Sequence, residues 1–543
     1  MAPRKRSRGA GRVAPPPKRA QREELSTSSE GGAAPRSPSP SSADDGSEPG
    51  DDAVLLPLII EDDGDGVGAP PPTPSPSSVE PGSPAAGAAV LARWLHPLPL
   101  AAFFGDVFEK RALLVRRGEG GRGLFDGLLT PDGVWAAAAA GALSYGTGVD
   151  VVAFDGKKRV TLNKKEGTVA SEADLKASFA RGDSLRALHP QRWPHAPALA
   201  SALADLEGYW RCVVGANAYM TPAGGRQGFA PHADDVDVFI LQLAGAKAWT
   251  VRAPRSPDDV LPLVSSPDFG PGEAGEVALE ATLRPGDCLY LPRGAVHSAR
   301  TPSDEGGGAS SSPSLHVTVS VCQGVSWAAL LRAALPRALD LAAETTLALR
   351  RSVPRPAYDY MGVVHADAGE RAASGEGGEA GAPPALYSAR AAARAAFEAA
   401  AVAAALAVVD ALPLDAAMDA MAAEWLAARM PLGGGGARAA PAACLPPRVR
   451  PVAGGSAARL AVEDDVAVVH HCLANEARAH AAAEGGGGAR LEFPLDAAPA
   501  LEILLGSHSP HAGAPIEVAG LPGGRHAEAA ARALLAAGVV VPA

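Results

Sequence analysis

The sequence predicts an α+β protein in which a β-rich middle is followed by helices and then by a small mixed unit. Between Val213 and Val321, short apolar runs alternate with turn signals such as Ala244-Gly245 and Pro285-Gly286. Such runs predict an antiparallel sandwich or barrel. From Trp327 to about Ala428 the chain is rich in alanine, leucine and arginine, which favours helices.

Before the β-rich middle, the sequence predicts a long tail and then mixed elements. Residues 1–22 carry eight Lys and Arg and no acid, whereas residues 37–92 carry ten acids and no base. Such charge blocks, rich in Pro, Ser and Gly, predict disorder, although the apolar run Val54–Ile60 interrupts them. The run Arg4–Arg8 is typical of a nuclear or nucleolar address or a nucleic-acid-binding arm, and equally of a solvated tail.

Individual elements follow from local composition. Between residues 91 and 210 the predicted helices are Leu175–Arg181 and Ala198–Tyr209. The predicted strands of this region are Leu113–Arg116 and Lys158–Leu162. The strand-like runs of the middle are GANAYMTP, VDVFILQL, AWTVRA, CLYLP and LHVTVSV. After a linker at Leu432–Gly455, the last residues form a small helix–strand unit.

Composition and motifs exclude several classes of protein. The formal net charge of −11 argues against a general nucleic-acid coat, and five cysteines without a C-x-x-C pair support neither a disulfide framework nor a structural zinc site. The run Ala395–Val409 predicts an amphipathic or buried helix rather than a membrane span. The sequence has no G-x-S-x-G, H-E-x-x-H or P-loop motif.

The residues His232 and Asp234 are the strongest candidates for a metal site. They stand at positions i and i+2 before a long apolar run, so that strand geometry would put both side chains on one face. A His and a carboxylate on one face are two of the three ligands of a facial Fe(II) site. The natural third ligand is His297, which lies at the far end of a strand that follows a turn in the segment PGDCLYLPRGAVHSA.

A nearby lysine adds to this pattern. Lys247 follows the hairpin turn at Ala244-Gly245, where it could supply the fixed cation for a dicarboxylate that chelates iron at its other end. A second H-x-D, at His365–Asp367, is followed by a Gly-rich insert instead of a strand and is not expected to bind metal. His316 is favoured as a core or supporting imidazole rather than a ligand.

Three segments carry a resemblance to a known family. The segments GANAYMTPAGGRQGFAPHADDVDVFILQLAGAKAW, LRPGDCLYLPRGAVHSA and SLHVTVSV resemble the JmjC ribosomal oxygenases, described as bifunctional histidyl-hydroxylases and lysine demethylases, and most closely their nucleolar member. The resemblance implies Fe(II) as cofactor, with 2-oxoglutarate and O2 as cosubstrates. The residues matched to catalytic and metal positions are His232, Asp234 and His297, and those matched to cosubstrate or substrate positions are Lys247, Asn217, Tyr219 and Thr318.

The family architecture implies a domain order for this chain. After the disordered tail predicted at 1–88, the expected domains are a JmjC double-stranded β-helix (cupin) barrel at 89–335, a helical dimerisation region with Gly-rich inserts at 336–455 and a winged-helix-like domain at 456–543. The chain departs from the family at Ala233, where an aromatic residue is usual, and at Ser298, where Gln is typical. The loop Ala223–Gln227 is also one residue longer. These departures affect the pocket rim rather than the ligands.

The expected function is an Fe(II)- and 2-oxoglutarate-dependent protein oxygenase of the nucleus and nucleolus. Its expected partner is a basic protein, either a ribosomal protein hydroxylated on histidine or a methylated histone H3 tail demethylated on lysine in transcription regulation. The alternative of a different class is a catalytically silent scaffold. The chain is expected to form a homodimer and not to bind a membrane, and contact with nucleic acid through the winged helix is left open.

Overall fold

The computed structural model describes residues 56–62, 79–303, 312–322, 324–366, 384–432, 445–480, 488–506 and 514–543. The strands are β1 (Leu58–Asp62), β2 (Leu113–Arg117), β3 (Val149–Phe154), β4 (Arg159–Thr161), β5 (Ser184–Leu188), β6 (Gly215–Thr221), β7 (Asp237–Ala244), β8 (Lys247–Arg252), β9 (Val277–Leu283), β10 (Cys288–Leu291), β11 (Val296–Arg300), β12 (Ser314–Val321), β13 (Arg448–Pro451), β14 (Ala458–Glu463), β15 (Val466–His471), β16 (Ala489–Pro494), β17 (Ile516–Glu517) and β18 (Val540–Pro542). The helices are α1 (Pro84–Leu95), α2 (Leu100–Asp106), α3 (Pro131–Ala139), α4 (Glu172–Arg181), α5 (Pro197–Trp210), α6 (Trp327–Thr345), α7 (Leu347–Arg350), α8 (Ala357–Tyr360), α9 (Pro384–Asp410), α10 (Leu414–Ala428), α11 (Ala498–Leu504) and α12 (Arg525–Ala536).

Two sheets in the middle of the chain face each other across an apolar core. The larger has the order β1-β2-β10-β7-β12-β6-β5-β3-β4, and the smaller has the order β11-β8-β9. Ile240 of β7 and Leu289 of β10 meet Trp249 of β8 and Leu283 of β9 in this core, because alternate residues of each strand point to the same side. The α+β class, with a barrel of two facing sheets, is therefore confirmed.

Helices cover the other face of the larger sheet. Leu91 of α1, Phe103 of α2 and Leu203 of α5 are fully buried in one cluster with Phe239 of β7 and Val319 of β12. Helix α1 begins at Pro84 with the Ser83 side chain accepting a hydrogen bond from the backbone N–H of Ala86, which is a favourable N-cap. The central strands of the larger sheet are thus buried on both faces.

The predicted disorder of residues 1–88 is wrong for two segments. Leu58–Asp62 forms β1, which pairs in parallel with β2, and Leu58 and Ile60 pack against the main core. Helix α1 also starts before residue 88. The apolar run that interrupts the acidic block folds because a free sheet edge supplies the hydrogen bonds and apolar contacts that it cannot make alone. Residues 1–55 and 63–78 of the predicted tail lie outside the described residues.

Two predicted domain boundaries also differ from the structure. Helix α6 continues through the boundary at 335/336 and carries Pro336 in its interior. The C-terminal unit begins before residue 456, because β13 lies between β17 and β18 in one sheet. A second sheet, β14-β15-β16, and helices α11 and α12 complete this unit around its own core.

The C-terminal unit is attached to the barrel through a buried polar contact. The carboxylate of Glu207, on α5, lies 2.8 Å from His480 Nε2, and neither side chain is exposed to solvent. The same carboxylate accepts the backbone N–H groups of Val214 and Met430. Arg429, which is fully buried, donates to the carbonyl oxygens of Gly82 and Ser456. These bonds join the N-terminal loop, the helices and the C-terminal unit into one body.

Candidate metal centre

The backbone places two of the predicted ligands side by side. His297 lies at the start of β11, and His232 lies in the loop between β6 and β7. The two residues form an antiparallel bridge, in which His232 N–H donates to the His297 carbonyl at 3.2 Å and His297 N–H donates to the His232 carbonyl at 2.8 Å. The imidazole centroids are 4.6 Å apart as a result.

The side chains of His232, Asp234 and His297 converge on one point. One ligand atom from each lies within 4.8 Å of the others. The Nδ1 atoms of His232 and His297 lie 2.8 and 3.0 Å from the carbonyl oxygens of Ala230 and Ala295, which turns each Nε2 towards Asp234. The Nε2 atoms are 3.8 and 3.9 Å from the Asp234 carboxylate oxygens.

This donor set fits Fe(II). Two imidazoles and one carboxylate on one side of a centre leave the remaining coordination positions open to small ligands. A hydrogen bond from the other ring nitrogen to a backbone carbonyl is the usual support of a metal-binding histidine, because it fixes the tautomer. Burial and the neighbouring His232 lower the pKa of His297 to about 4, so that its ring is neutral near pH 7.

Lys247 lies inside the barrel in the same cavity. Gly245 makes the preceding turn with a φ of +61°, and a Cβ there would lie 2.3 Å from the carbonyl oxygen of Pro313; only glycine fits. The Lys247 side chain is buried, donates a hydrogen bond of 2.6 Å to Thr221 Oγ1, and lines the cavity that contains the triad. Burial lowers the pKa of Lys247 to about 7.

The other predicted pocket residues occupy three different positions. Tyr219 and Thr318 line the cavity, on β6 and β12 respectively. Asn217 pairs with Thr318 across the sheet but is not among the lining residues, and its side chain hydrogen-bonds Tyr219. His316 also lines the cavity, stacked on Tyr219 with ring centroids 4.9 Å apart. It is not part of the triad, in agreement with its predicted supporting role.

Two residues of the cavity wall, and a third residue that contacts this wall, were not predicted. Thr221 follows Tyr219 at the spacing of two that marks one face of a strand, so this alternation could have identified it. Phe229 lines the cavity, and Arg186 lies over its ring at 5.7 Å. Arg186 also forms an ion pair with Asp150 and hydrogen-bonds Tyr219. No local pattern marks Arg186, because β5 reaches the site only through its pairing with β6.

The remaining predictions about this region concern residues at its margin. His365 of the second H-x-D lies in a short helical turn after α8, and Asp367 is outside the described residues. Among the described residues, His365 belongs to no cluster of metal-binding side chains. Ala233 is buried against Phe269 and Val296, so Phe269 occupies the space beside it. Ser298 faces the cavity.

Comparison with known proteins identifies the barrel. Residues 188–323 match the family model described as JmjC domain. The chain contains a JmjC domain. Its predicted resemblance to the ribosomal oxygenases is also confirmed: the chain is 38% identical over 278 residues to the bifunctional lysine-specific demethylase and histidyl-hydroxylase NO66 of Dictyostelium discoideum, covering 51% of each chain. It is 36% identical over 281 residues to human ribosomal oxygenase 1, covering 52% of this chain and 42% of that protein.

The similarity to these proteins is limited in extent. The chain covers 41%, 51% and 45% of three curated relatives, from Aedes aegypti, Dictyostelium discoideum and Rattus norvegicus. A solved structure of Escherichia coli YcfD, a ribosomal oxygenase in complex with cobalt and 2-oxoglutarate, is 14% identical, with a TM-score of 0.40 over 82% of this chain and 98% of that chain. The JmjC domain includes all seven residues that the sequence predicted for the site.

Proposed function

We propose that the protein is an Fe(II)- and 2-oxoglutarate-dependent protein oxygenase, and that it hydroxylates a histidine of a ribosomal protein. The observation that carries this proposal is the convergence of His232, Asp234 and His297 in one cavity with the buried Lys247. A catalytically silent scaffold has no use for this combination. Burying an unpaired ammonium is costly, and a carboxylate ligand offsets that cost.

The residues of the cavity have separate tasks in this reaction. His232, Asp234 and His297 would hold Fe(II), and Lys247 would bind the distal carboxylate of 2-oxoglutarate. Bound there, Fe(II) and 2-oxoglutarate would supply the oxidising chemistry: of the two atoms of O2, one would enter succinate as 2-oxoglutarate loses carbon dioxide, and the other would enter a substrate C–H bond. The apolar wall of the barrel excludes water around these groups. Tyr219, Thr318 and Asn217 belong to the β6–β12 wall that orients the cosubstrate and the substrate.

The competing reaction is lysine demethylation of histone H3. Several relatives are named as both a lysine-specific demethylase and a histidyl-hydroxylase. Both outcomes begin with oxygen insertion at a C–H bond, and an N-methyl carbon that is hydroxylated then leaves as formaldehyde. We favour the histidine because similar proteins are also named ribosomal oxygenase 1.

The regions after the barrel support a larger assembly. We propose that α6, α9 and α10 form a dimerisation region, because Leu335, Leu339 and Leu406 are exposed on helices that pack together. The segment Ser388–Asp410 is apolar and long enough to span a membrane, and none of its apolar window is buried within this chain. The sequence left two alternatives open for this helix, amphipathic or buried, and the second is not found within this chain. A second copy of the chain would cover it. The C-terminal unit would be a winged-helix domain, and the run Arg4–Arg8 supports a nuclear or nucleolar location.

Mass spectrometry of candidate substrates tests this proposal. Purified ribosomal proteins and methylated histone H3 peptides are incubated with the protein, Fe(II) and 2-oxoglutarate, with and without O2, beside the His232→Ala variant. The expected result is the gain of one oxygen on a histidine, absent in the variant and without O2. Loss of methyl groups would instead establish the demethylase. Absence of both products, and of succinate, would leave the scaffold function.

A further inference from the structure

The hairpin between β3 and β4 carries an unusual concentration of lysine. Lys157, Lys158, Lys164 and Lys165 are four of the nine lysines in the chain, and Arg159 lies among them. The chain as a whole has a formal net charge of −11, so this segment is a local exception rather than part of a general positive surface. We call residues 155–166 the basic hairpin.

Most of the positive charge on the basic hairpin is not neutralised by the protein. All four lysines are exposed, and among the described residues only Lys164 has an ion-pair partner, Asp174 at 2.8 Å. Asp155 accepts the backbone N–H groups of Lys157 and Lys158 at 2.8 and 2.9 Å, and these bonds lower its pKa. The carboxylate of Asp155 thus stabilises the turn through the backbone, and the exposed ammonium groups of Lys157 and Lys158 are accessible to a binding partner.

The basic hairpin stands beside the metal cavity. The Arg159 guanidinium lies 5.5 Å from the ring centroid of Phe229, and that ring lies 5.9 Å from the ring of His232. Phe229 lines the cavity. Arg159 is also fixed from the other side, because its backbone N–H donates to Asp268. A polyanion bound to the lysines would therefore lie next to the entrance used by the substrate.

We propose that the basic hairpin binds the phosphate backbone of RNA and so holds a ribonucleoprotein substrate at the cavity. Exposed lysines that neutralise phosphates release condensed counterions, which makes such a surface favourable for nucleic acid. The exposed lysines favour phosphates over basic side chains, and a ribosomal protein that carries RNA presents phosphates beside its basic residues. The choice of RNA among polyanions rests on the proposed function.

The acidic block of the chain itself is the competing occupant. Asp44, Asp52 and Asp65 lie within about fourteen residues of β1 in the sequence. Strand β1 is one edge of the nine-stranded sheet and β4 is the other edge. The structure describes β1 within this part of the acidic block, and its Glu61 forms an ion pair with Arg116 of β2 rather than with a lysine of the basic hairpin. RNA is therefore the occupant that we favour.

Fluorescence anisotropy with the full chain tests the proposal. The probe is a labelled 20-nucleotide single-stranded RNA of mixed sequence, titrated at KCl concentrations from 50 to 300 mM. The test variant combines Lys157→Gln, Lys158→Gln and Lys165→Gln. The matched control removes the same number of exposed charges elsewhere, through Lys110→Gln, Arg478→Gln and Arg525→Gln. A third variant neutralises Arg4, Lys5 and Arg6 in the N-terminal basic run.

The test variant is expected to bind RNA about 100-fold more weakly at 100 mM KCl. Its plot of log binding constant against log salt concentration should have a slope smaller in magnitude by about 2, since each single-strand phosphate contact contributes roughly 0.7 to that slope. The matched control should bind as the original chain does. The proposal is overturned if the test variant binds RNA as tightly as the original chain does. It is also overturned if binding is lost completely, and only, in the variant with Arg4, Lys5 and Arg6 neutralised. Preferential binding of polyglutamate over RNA, which would indicate an acidic polypeptide, overturns it as well. Iron-dependent turnover of 2-oxoglutarate, measured on the same variants, reports separately on the proposed function.

Discussion

The two histidines of the proposed metal centre are oriented by the main chain. The Nδ1 atoms of His232 and His297 meet backbone carbonyls two residues before them, so the H-x-D loop and the β11 strand impose the same ring orientation. The carboxylate of Asp234 then completes a face of three donors. The donor atoms therefore act as a unit, and loss of any one should affect the metal far more than loss of a supporting residue.

The Asp234→Ala variant should bind divalent metal at least about 100-fold more weakly, because removal of a ligand costs more than the 10- to 100-fold typical of a supporting partner. Calorimetric titration with Mn(II) measures this change. The matched control is His365→Ala, from the second H-x-D, which should bind metal as the unmodified protein does. Equal weakening in both variants would contradict the assignment.

Lys247 should make 2-oxoglutarate affinity depend on pH. Burial lowers the pKa of its ammonium group to about 7, so the charged form that pairs with a carboxylate is lost as pH rises through 7. Binding should weaken by about tenfold per pH unit above that value. His316, whose pKa burial lowers well below its usual value, stays neutral throughout.

The measurement is a titration of the metal-loaded protein with 2-oxoglutarate between pH 6 and 9. Lys247→Met should bind weakly at every pH while still binding Mn(II). The linked effect on folding has the opposite sign: because the folded-state pKa lies below that of the unfolded chain, the stability of the unliganded protein should rise between pH 7 and 10. A pH-independent affinity in the unmodified protein would exclude the proposed role.

The triad and Lys247 could be predicted because their signals are local. His232 and Asp234 are two residues apart, and Lys247 follows a turn that glycine marks. Arg186 and Phe229 were missed because their importance depends on strand pairing and on a ring contact that no short motif encodes.

At the scale of elements, the five strand-like runs of the middle were all predicted, but strands outside them were predicted only in part: the short β4 was expected and the apolar β3 was not. The run VDVFILQL became β7, whereas β9 and β11 were not predicted. Strand β9 has exposed or half-exposed residues along its sequence, and β11 is short and polar after His297. Strand β1 was assigned to a disordered tail because its stability comes from β2, which is distant in sequence.

Helix α6 carries exposed leucines that can be substituted to test dimerisation. Its buried side is alanine, at Ala334, Ala338 and Ala342, whereas Leu335 and Leu339 are 41% and 51% exposed. Large side chains thus face outward, which is typical of a surface that binds another protein. Leu335→Glu with Leu339→Glu should convert a dimer of the 54.7 kDa chain into a monomer.

Light scattering coupled to size-exclusion chromatography measures this mass. The control is Leu335→Met with Leu339→Met, which keeps the apolar area and should remain dimeric. A monomeric unmodified protein at micromolar concentration would exclude the proposed dimer.

At the scale of the whole molecule, buried polar and ionisable side chains join the JmjC domain to the C-terminal unit. Glu207, His480 and Arg429 are at most 1% exposed and come from three regions of the chain. A buried charge without its partners is strongly destabilising, so these regions must fold together. The sequence separated them into independent domains because each contact spans more than twenty residues.

Removal of the His480 imidazole should therefore loosen this junction. His480→Ala leaves a Glu207 oxygen without one of its donors, which costs about 1–3 kcal/mol, and it adds a cavity. We expect a melting temperature lower by several degrees, and faster proteolytic release of residues after β13. His195→Ala, at an exposed position, is the control. Unchanged melting and proteolysis in His480→Ala would show that the junction is held by other contacts.

The backbone bridge between His232 and His297 has a practical consequence for handling this protein. Although main-chain hydrogen bonds set the two rings, the three protein donors leave the remaining coordination positions open, so the protein imposes no complete geometry that would distinguish ions of similar size. Selection then follows the Irving–Williams order, in which Co(II), Ni(II) and Cu(II) outcompete Fe(II). Traces of nickel from an affinity column would therefore be expected to occupy the site in preparations of the protein, and supplementation with iron alone would not displace them without prior chelation.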